Sequence, residues 1–525
     1  MAIKLFSNTV EWIKKNKKEF IWLFIILVLG AFLRLYRISD YMTFLGDEGR
    51  DAIIVRNLLV KFDPILIGPR TSIGDMYMGP LYYYLIAPSL LLANFSPVGP
   101  SVLVALTGVA TIYLLWLVIK EVLGVIPARI ASFLYATAPV IITYSHSSWN
   151  PNVMPFFSLL TIYSLWKTWY GKKLHWMIVS VVSYAMVLNS HWLGLLMLPV
   201  IFMVVFFNLR YFLVNSKKYS YIKLAVLSTL IFFFLMSPLV IFDARHGWRN
   251  FSSMKKFFTE RQTTVSARPW SGIKKLYPIF KDDYVTRIMT ASNPTVGKYI
   301  SVTISIFVAS YIFFNFKSLL KILKSNELRK SHKEGAFFIL IFTWIFCSFL
   351  GLSLYKQHIY DHYFGLIYPT GFILFTFFYK KIQDVLGSSG LIIASSLVLV
   401  VAVVNLTQTP IRYPPNKQMR RAIDAADIIK RESGDKKLNL AVIAERNYED
   451  GYQYFLEKDG VNVSEIDPQI PQSVADQLFV VCEVDKPLCD PVNSPKAEVA
   501  NFGWSKIVEG WAVQGATVYK LVHAK

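Results

Sequence analysis

Residues 20–36 read FIWLFIILVLGAFLRLY, and after nine more residues, positions 46–51 read GDEGRD. The first stretch has the length and apolarity with which a helix crosses a bilayer, about 17 to 25 residues. The second sets carboxylates and an arginine directly beyond it. Ten further apolar runs repeat the first, at 100–119, 126–144, 153–170, 174–188, 193–213, 221–242, 299–316, 336–354, 363–379 and 391–406, so eleven crossings are expected. The composition agrees: of 525 residues, 54% are hydrophobic and 17% charged, against about 25% charged in soluble domains. Length alone would suggest several soluble domains, but cores of ordinary size could not hide so much apolar sequence. The three Cys exclude a disulfide-built secreted module, and the apolar content excludes a disordered or fibrous chain. The expected fold class is an all-α polytopic membrane protein.

A further apolar stretch, 81–95, contains Pro88 and lacks a charged flank at its far end. It reads as a juxtamembrane helix at the outer interface. Charge bias orients the set, because Lys and Arg in short loops stay on the cytoplasmic side. Lys14, Lys15, Lys17 and Lys18 precede the first run, Lys167 stands in the last turn of the fourth with Lys172 and Lys173 just after it, and Lys380 and Lys381 follow the tenth. The turns 145–152 and 189–192 carry no Lys or Arg. The expectation is a multi-pass protein of the cytoplasmic membrane with its N-terminus inside and its tail outside. Counting 81–95 as a crossing would invert every later loop. The run 20–36 lacks a small-residue cleavage site and reads as a retained signal anchor. The formal charge of +21 is explained by topology and contact with anionic lipid. No basic-aromatic module accompanies it, so nucleic acid is not an expected partner.

The composition changes after residue 408, dividing a transmembrane domain, 1–408, from a tail, 409–525. In the tail, Met419, Ile423, Ala426 and Ile429 recur at helical spacing over 416–431, while 438–444, 478–482 and 517–522 read as strands. A small extracytoplasmic α/β domain follows. Cys482 and Cys489 fit a local disulfide better than a zinc site, since no His partners stand nearby. Cys347 lies within a run and reads as a small apolar residue.

The runs are almost free of ionisable residues, whereas a transporter usually carries them near the bilayer midplane. Attention therefore moves to the outer loops. A helical stretch, 52–61, places Ile54 and Leu58 on one face and Arg50, Asn57 and Lys61 on another, suiting a helix in the interface. Asp47 and Glu48 then have two readings. Asp47 is a helix N-cap with Glu48 favoured in the first turn. Alternatively they form a carboxylate pair that takes a proton from an attacking hydroxyl, with Arg50 binding an anionic leaving group. Spacing alone supports both.

Asp47-Glu48-x-Arg50 after the first run, followed by Met78-Gly79-Pro80-Leu81-Tyr82-Tyr83-Tyr84-Leu85, resembles glycosyltransferase family 39 of the GT-C superfamily. Protein O-mannosyltransferases and lipid A aminoarabinose transferases belong to the same group. The resemblance extends through Trp149-Asn150-Pro151-Asn152, Arg245-His246-Gly247 and His362-Tyr363 before Pro369, and covers roughly residues 20–408. It implies a GT-C architecture and transfer of a sugar from a polyprenyl-phosphate donor to an extracytoplasmic acceptor, with inversion. It also implies that Asp47 is the catalytic carboxylate, and it says little about the tail.

A polyprenyl-phosphate sugar carries one negative charge, and its departing phosphate about two, so fixed cations favour the transition state. Arg50, Arg70 and Arg245, with His246 beside the last, are the candidates; Arg70 and Arg245 would serve equally as contacts to lipid headgroups. Substrate-binding candidates are Asn150, His191, His362 and Tyr363. The bland readings are a turn that caps the fourth run for Asn150 and an interfacial residue for His191. No His/Cys cluster has zinc spacing, so no obligate metal is expected, although a divalent ion is compatible. The expected partners are the donor, an acceptor whose identity stays open (lipid, glycan or protein) and membrane lipids. The rival readings are a transporter or flippase of lipid-linked sugars and a non-catalytic membrane scaffold.

Overall fold

A computed structural model describes residues 11–12, 14–71, 76–214, 218–260, 264–266 and 268–524. Each of the eleven predicted crossings falls on helix, from Lys17–Leu35 to Tyr368–Thr407. The third breaks into Val125–Thr137 and Pro139–Ser145, bent by 64°, because Pro139 has no N–H to continue the ladder. The last two share one helical tract, Tyr368–Thr407, interrupted at Gly387 with φ 57°. There the chain folds back, bringing the Tyr379 and Ser395 hydroxyls to 3.5 Å. Only a residue without a Cβ takes that conformation readily.

Among the described residues, six helices are long and apolar enough to cross alone, and the bent pair would add a seventh. Helix length alone therefore supports fewer crossings than eleven. The reasons are local. Lys17–Leu35 carries Lys17, Lys18, Glu19 and Arg34, and Met154–Trp169 and Trp176–Ser190 have 16 and 15 residues, each under about 25 Å against a core of about 30 Å. Arg34 is fully buried, donating to the carbonyls of Gly30 (3.1 Å) and Ala136 (2.9 Å), so it locks the first helix onto the bent pair. The stretch expected at the interface is a helix of 12 residues, Leu81–Leu92, about 18 Å long and too short to cross. Its Tyr82, Tyr83, Ile86 and Leu90 pack with Val55, Val104 and Val153.

The tail forms a four-stranded sheet of β1 (Asn439–Ile443), β2 (Gln477–Cys482), β3 (Ser505–Val513) and β4 (Ala516–His523), in the order β1-β2-β4-β3. The β1–β2 pair is parallel and the other two pairs are antiparallel. The helix Gln418–Ser433 buries Met419, Ala422, Ala426 and Ile429 against it, and Asp450–Lys458 lies in the β1-to-β2 connection. The expected helix and three strands are present; β3 and Asp450–Lys458 are additions. β3 is an edge strand, exposed over most of its length, so it shows no apolar alternation. Cys482 and Cys489 are joined by a disulfide, their Cα atoms 6.1 Å apart.

This domain shares a core with the first loop. Ile38, Met42, Phe44 and Ala52 belong to the same buried cluster as Leu440, Val442, Tyr452, Phe455 and Phe479. Phe44 packs its ring 5.5 Å from that of Phe455. Polar bonds fix the register: the Lys417 N–H donates to Asp40 O at 2.9 Å, and the Tyr41 hydroxyl to the carbonyls of Ile411 and Tyr413 at 3.1 and 2.8 Å. The closest approach is at Gly49, where an added Cβ would lie 2.3 Å from the Gly451 nitrogen and 2.4 Å from the Asp450 carbonyl carbon. Gly49→Ala should therefore loosen the docking by about 1–3 kcal/mol, the usual cost of overpacking. Limited proteolysis in detergent should release the tail domain faster than from the native chain, and equal release rates would show that the backbone gives way without cost.

Candidate active site

The helix Gly46–Lys61 starts with Leu45, in extended conformation, as its capping residue. Asp47 is not the N-cap. The Leu45 N–H donates to Glu48 Oε2 at 3.0 Å, and the Gly46 N–H donates to Asn447 Oδ1 of the tail domain at 2.9 Å. Capping by Glu48 and Asn447 leaves the carboxylate of Asp47 for other use. Glu48 is buried at 7% exposure, and burial pushes its carboxyl up to about 7, against the pull of the Leu45 N–H.

Arg50 is held between two carboxylates. Its Nη1 donates to Asp47 Oδ1 at 2.8 Å, and its Nη2 and Nε to Asp51 Oδ1 at 2.7 and 3.1 Å. Burial works against the guanidinium charge, but Asp51, then Tyr83 and Asp47, outweigh it and raise the pKa. A guanidinium has five N–H donors, so two remain for a ligand. Asp51 is 1% exposed and its Oδ1 also accepts the Tyr83 hydroxyl at 3.0 Å, while its buried Oδ2 has no partner among the described residues. Burial pushes its carboxyl up to about 6, with Arg50 pulling the other way. Tyr448, from the tail domain, donates its hydroxyl to Asp47 Oδ1.

Asp47 and Arg50 line a cavity of about 540 Å³, which Arg70, Asn150, His191, His362 and Tyr363 also line. The fold brings together seven of the ten candidates, from five separate stretches of chain. Arg70 arrives on an extended segment in which the Gly68 and Met78 N–H groups donate to Met78 O and Pro69 O at 2.8 and 3.0 Å. Asn150 is pinned by its Nδ2 to Ser190 O at 2.6 Å. His191 accepts the Leu193 N–H on Nδ1 at 3.1 Å, and burial drops its pKa to about 4, so it is neutral. His362 sits edge-on to Trp149 and Tyr363, at ring separations of 4.5 and 4.6 Å. Leu193, Leu196, Met254 and Phe257 give the remaining wall its apolar character.

Three candidates lie outside that lining. Glu48 is turned to its capping role, and Arg245 and His246 are exposed at the end of the helix Lys218–Arg245. His246 Nδ1 is 2.7 Å from Phe242 O, and Asp243 accepts the N–H groups of Asn250 and Phe251, turning the chain there. Sequence reasoning missed the roles of Asp51, Tyr83 and Tyr448. The first two lie inside the quoted motifs. Tyr448, 401 residues from Asp47, had no local signal. A larger groove, about 960 Å³, opens beside Lys333, Glu334 and Lys381, at the opposite end of the helix Lys333–Ser353, and holds none of the candidates. Among the described residues, no group of three or more His, Cys, Asp or Glu is gathered to hold a metal ion.

Comparison with known proteins bears on this arrangement. Residues 78–242 match the family described as dolichyl-phosphate-mannose-protein mannosyltransferase. YkcB of Bacillus subtilis (strain 168), itself named only provisionally as a mannosyltransferase, is 26% identical over 239 residues, 43% of this chain and 31% of YkcB. The aligned part thus spans less than a third of that relative. ArnT from Cupriavidus metallidurans, solved with undecaprenyl phosphate, superposes over 95% of this chain and 97% of its own, at a TM-score of 0.54 and 12% identity. The chain has the GT-C fold. An Archaeoglobus fulgidus oligosaccharyltransferase, solved with zinc and sulfate, agrees over 87% of this chain and 67% of its own, at a TM-score of 0.52 and 13% identity. In this chain Asp47 and Arg50 of the first loop line a largely apolar cavity, and Tyr448 of the C-terminal domain contacts Asp47 there.

The capping role of Glu48 has a pH signature. Its folded pKa, about 7, exceeds the ordinary 4.5, so its stabilising share is fully present below pH 4.5 and lost as pH rises through 7. At pH 8 the native chain holds a buried charge that Gln would not carry, while Gln still accepts the Leu45 N–H. Glu48→Gln should raise thermal stability at pH 8, by at most about 3 kcal/mol, and leave it nearly unchanged at pH 5. A loss of stability at pH 8 would show that the ionised carboxylate is needed there.

Proposed function

We propose that this protein is a membrane glycosyltransferase that moves a sugar from a polyprenyl-phosphate carrier to an extracytoplasmic acceptor, with inversion. The observation that carries this reading is the contact of Asp47 with Arg50 at the edge of a largely apolar cavity. An amphiphile with an anionic head fits there: prenyl chain against Leu193, Leu196, Met254 and Phe257, phosphate against Arg50 and Arg70. The rings of Trp149, His362 and Tyr363, packed against one another, line the same cavity and give the sugar an aromatic wall.

The step is a single displacement. Asp47 takes the proton of the acceptor hydroxyl, whose oxygen forms the new bond to the anomeric carbon. The bond from that carbon to the phosphate oxygen breaks, and its electron pair leaves with the phosphate. Attack opposite the leaving group inverts the centre. As the phosphate passes from one negative charge towards two, the spare N–H donors of Arg50 bind it more strongly, which lowers the barrier and not merely the donor's Kd. Neutral His191 adds no competing charge. Glu48 supports the base by closing the first turn of its helix. A flippase would move the lipid without breaking its glycosidic bond, and a scaffold would need no carboxylate against an arginine.

Asp47→Asn should abolish transfer while donor binding survives. Arg50→Ala should cost turnover about 10²- to 10³-fold, by analogy with a removed oxyanion donor. Arg50→Lys should fall between, restoring charge without the forked geometry. The assay follows label passing from polyprenyl-phosphate sugars to products in membranes of cells lacking the gene, read by mass spectrometry. Full turnover in Asp47→Asn would remove the proposed base; a changed donor affinity with intact turnover in Arg50→Ala would make Arg50 a docking residue only.

The reading also places this end of the molecule outside the cytoplasm, as the Lys and Arg distribution implies. A reporter fused after Gln408 should be extracytoplasmic, and cytoplasmic activity of that reporter would put the site on the wrong face for an extracytoplasmic acceptor.

A further inference from the structure

Asn447 and Tyr448 are consecutive residues of the C-terminal domain, and both address the first turn of the Gly46–Lys61 helix. Asn447 Oδ1 accepts the Gly46 N–H at 2.9 Å, and the Tyr448 hydroxyl donates to Asp47 Oδ1. The Tyr448 ring lies so close over Gly46 that a Cβ there would come within 2.4 Å of it. Behind this pair stands a polar buttress. Asn447 Nδ2 donates to Glu483 Oε1, which also accepts the Tyr452 hydroxyl at 2.8 Å, while Arg421 pairs with Glu483 Oε2 at 2.8 Å. Among the described residues, Arg50 and Tyr448 are the two donors to the Asp47 carboxylate, and both converge on Oδ1.

That convergence has a chemical consequence. Asp47 is 40% exposed, and with Arg50 as sole partner its carboxylate is free to swing into a two-oxygen fork with the guanidinium. A carboxylate bound in that way has both oxygens engaged by the cation, and each is a poorer proton acceptor. A second donor on Oδ1, held by a different domain, fixes the rotation and reserves Oδ2 for the acceptor's hydroxyl. We infer that Tyr448 is a positioning residue for Asp47, and that the C-terminal domain thereby completes the active site as part of the catalytic apparatus. This rests on the reading of Asp47 as base.

The other charged and titratable groups around Asp47 are Glu48, Arg50 and Asp51 on its own helix and Asp450 on the C-terminal domain. Across the cavity stand Arg70, His191 and His362. Tyr448→Phe leaves all of these in place. Burial, then Asp47, raises the phenol's own pKa, so Tyr448 remains a donor across the assay range.

The test uses the full-length protein in detergent, with membranes of cells lacking the gene as the source of donor and acceptor. Tyr448→Phe should lower kcat about 10- to 100-fold, the loss of one hydrogen bond to a charged group, with the apparent KM for donor little changed. Thermal stability of the variant, measured alongside, checks that it is folded. Asp47→Asn is run in parallel. If Asp47→Asn keeps full activity, the base assignment fails and this inference with it. If Asp47→Asn is inactive and Tyr448→Phe keeps the native kcat, whether or not KM changes, the inference alone is overturned. It is equally overturned by a rate loss with a matching fall in thermal stability, which marks a structural contact, or by a gain in rate, which marks a plug that competes with the acceptor.

Discussion

A helix begins with N–H groups that lack partners within it, and the way the Gly46–Lys61 helix satisfies them decides what Asp47 is able to do. An aspartate at the N-cap would be consumed there, but Asp47 stands two residues inside it. Here Glu48 reaches back to the Leu45 N–H, and Asn447 reaches across from another domain to the Gly46 N–H. The Asp47 carboxylate is thereby free to meet Arg50 and the cavity. The two glycines of the motif serve the same end. Gly46 lies under the Tyr448 ring and Gly49 under the Asp450–Gly451 backbone, so the C-terminal domain approaches closely enough to supply the second cap.

Charge in the site is arranged around one cation. Arg50 faces Asp47 and the far more buried Asp51, which leaves the trio with one formal negative charge when both acids are ionised. The orphaned Oδ2 of Asp51 and the raised pKa that burial imposes on that carboxyl are costs of holding Arg50 in place. They are tolerable because Asp51 fixes the guanidinium from the side that faces Tyr83, while the Asp47 side opens on the cavity. A cation fixed in this way needs no reorganisation when charge develops on a leaving phosphate, and low-dielectric walls strengthen its effect. In the proposed reaction the apolar lining that would hold the prenyl chain is therefore also an electrostatic device.

Much of this was legible in the sequence, for reasons tied to particular residues. Helix positions followed from runs of apolar residues, since a bilayer demands them at fixed length. The bend at Pro139 and the fold-back at Gly387 were not foreseen, because Pro and Gly are common in membrane helices and do not announce whether they kink or turn. Asp47, Arg50 and Asp51 were adjacent in one motif. Asn150, His191, His362 and Tyr363 were found at the ends of runs, where the fold does gather them. Arg245 and His246 had the same positional credentials, yet they fall outside the cavity because Asp243 turns the chain there, leaving Met254 and Phe257 to line the wall. Tyr448 was unreadable for a different reason. Its partner lies 401 residues away, and no periodicity or spacing rule spans such a separation.

That separation bears on when the site becomes complete. The first loop can form its helix as soon as the first crossings are placed, but the Gly46 N–H and the Asp47 carboxylate wait for residues 447 and 448. Docking those residues means closing a loop of several hundred residues, whose entropic cost grows only slowly with length. The shared core of Phe44, Met42 and Ala52 with Leu440, Tyr452 and Phe455 offsets that cost with buried apolar surface. A glycosyl donor bound to a half-made site would meet an uncapped helix and a carboxylate free to fold onto Arg50. Division of the base and its support between the two ends of the chain thus makes competence a property of the finished fold. The apolar contact between the first loop and the sheet domain is the energetic condition for it.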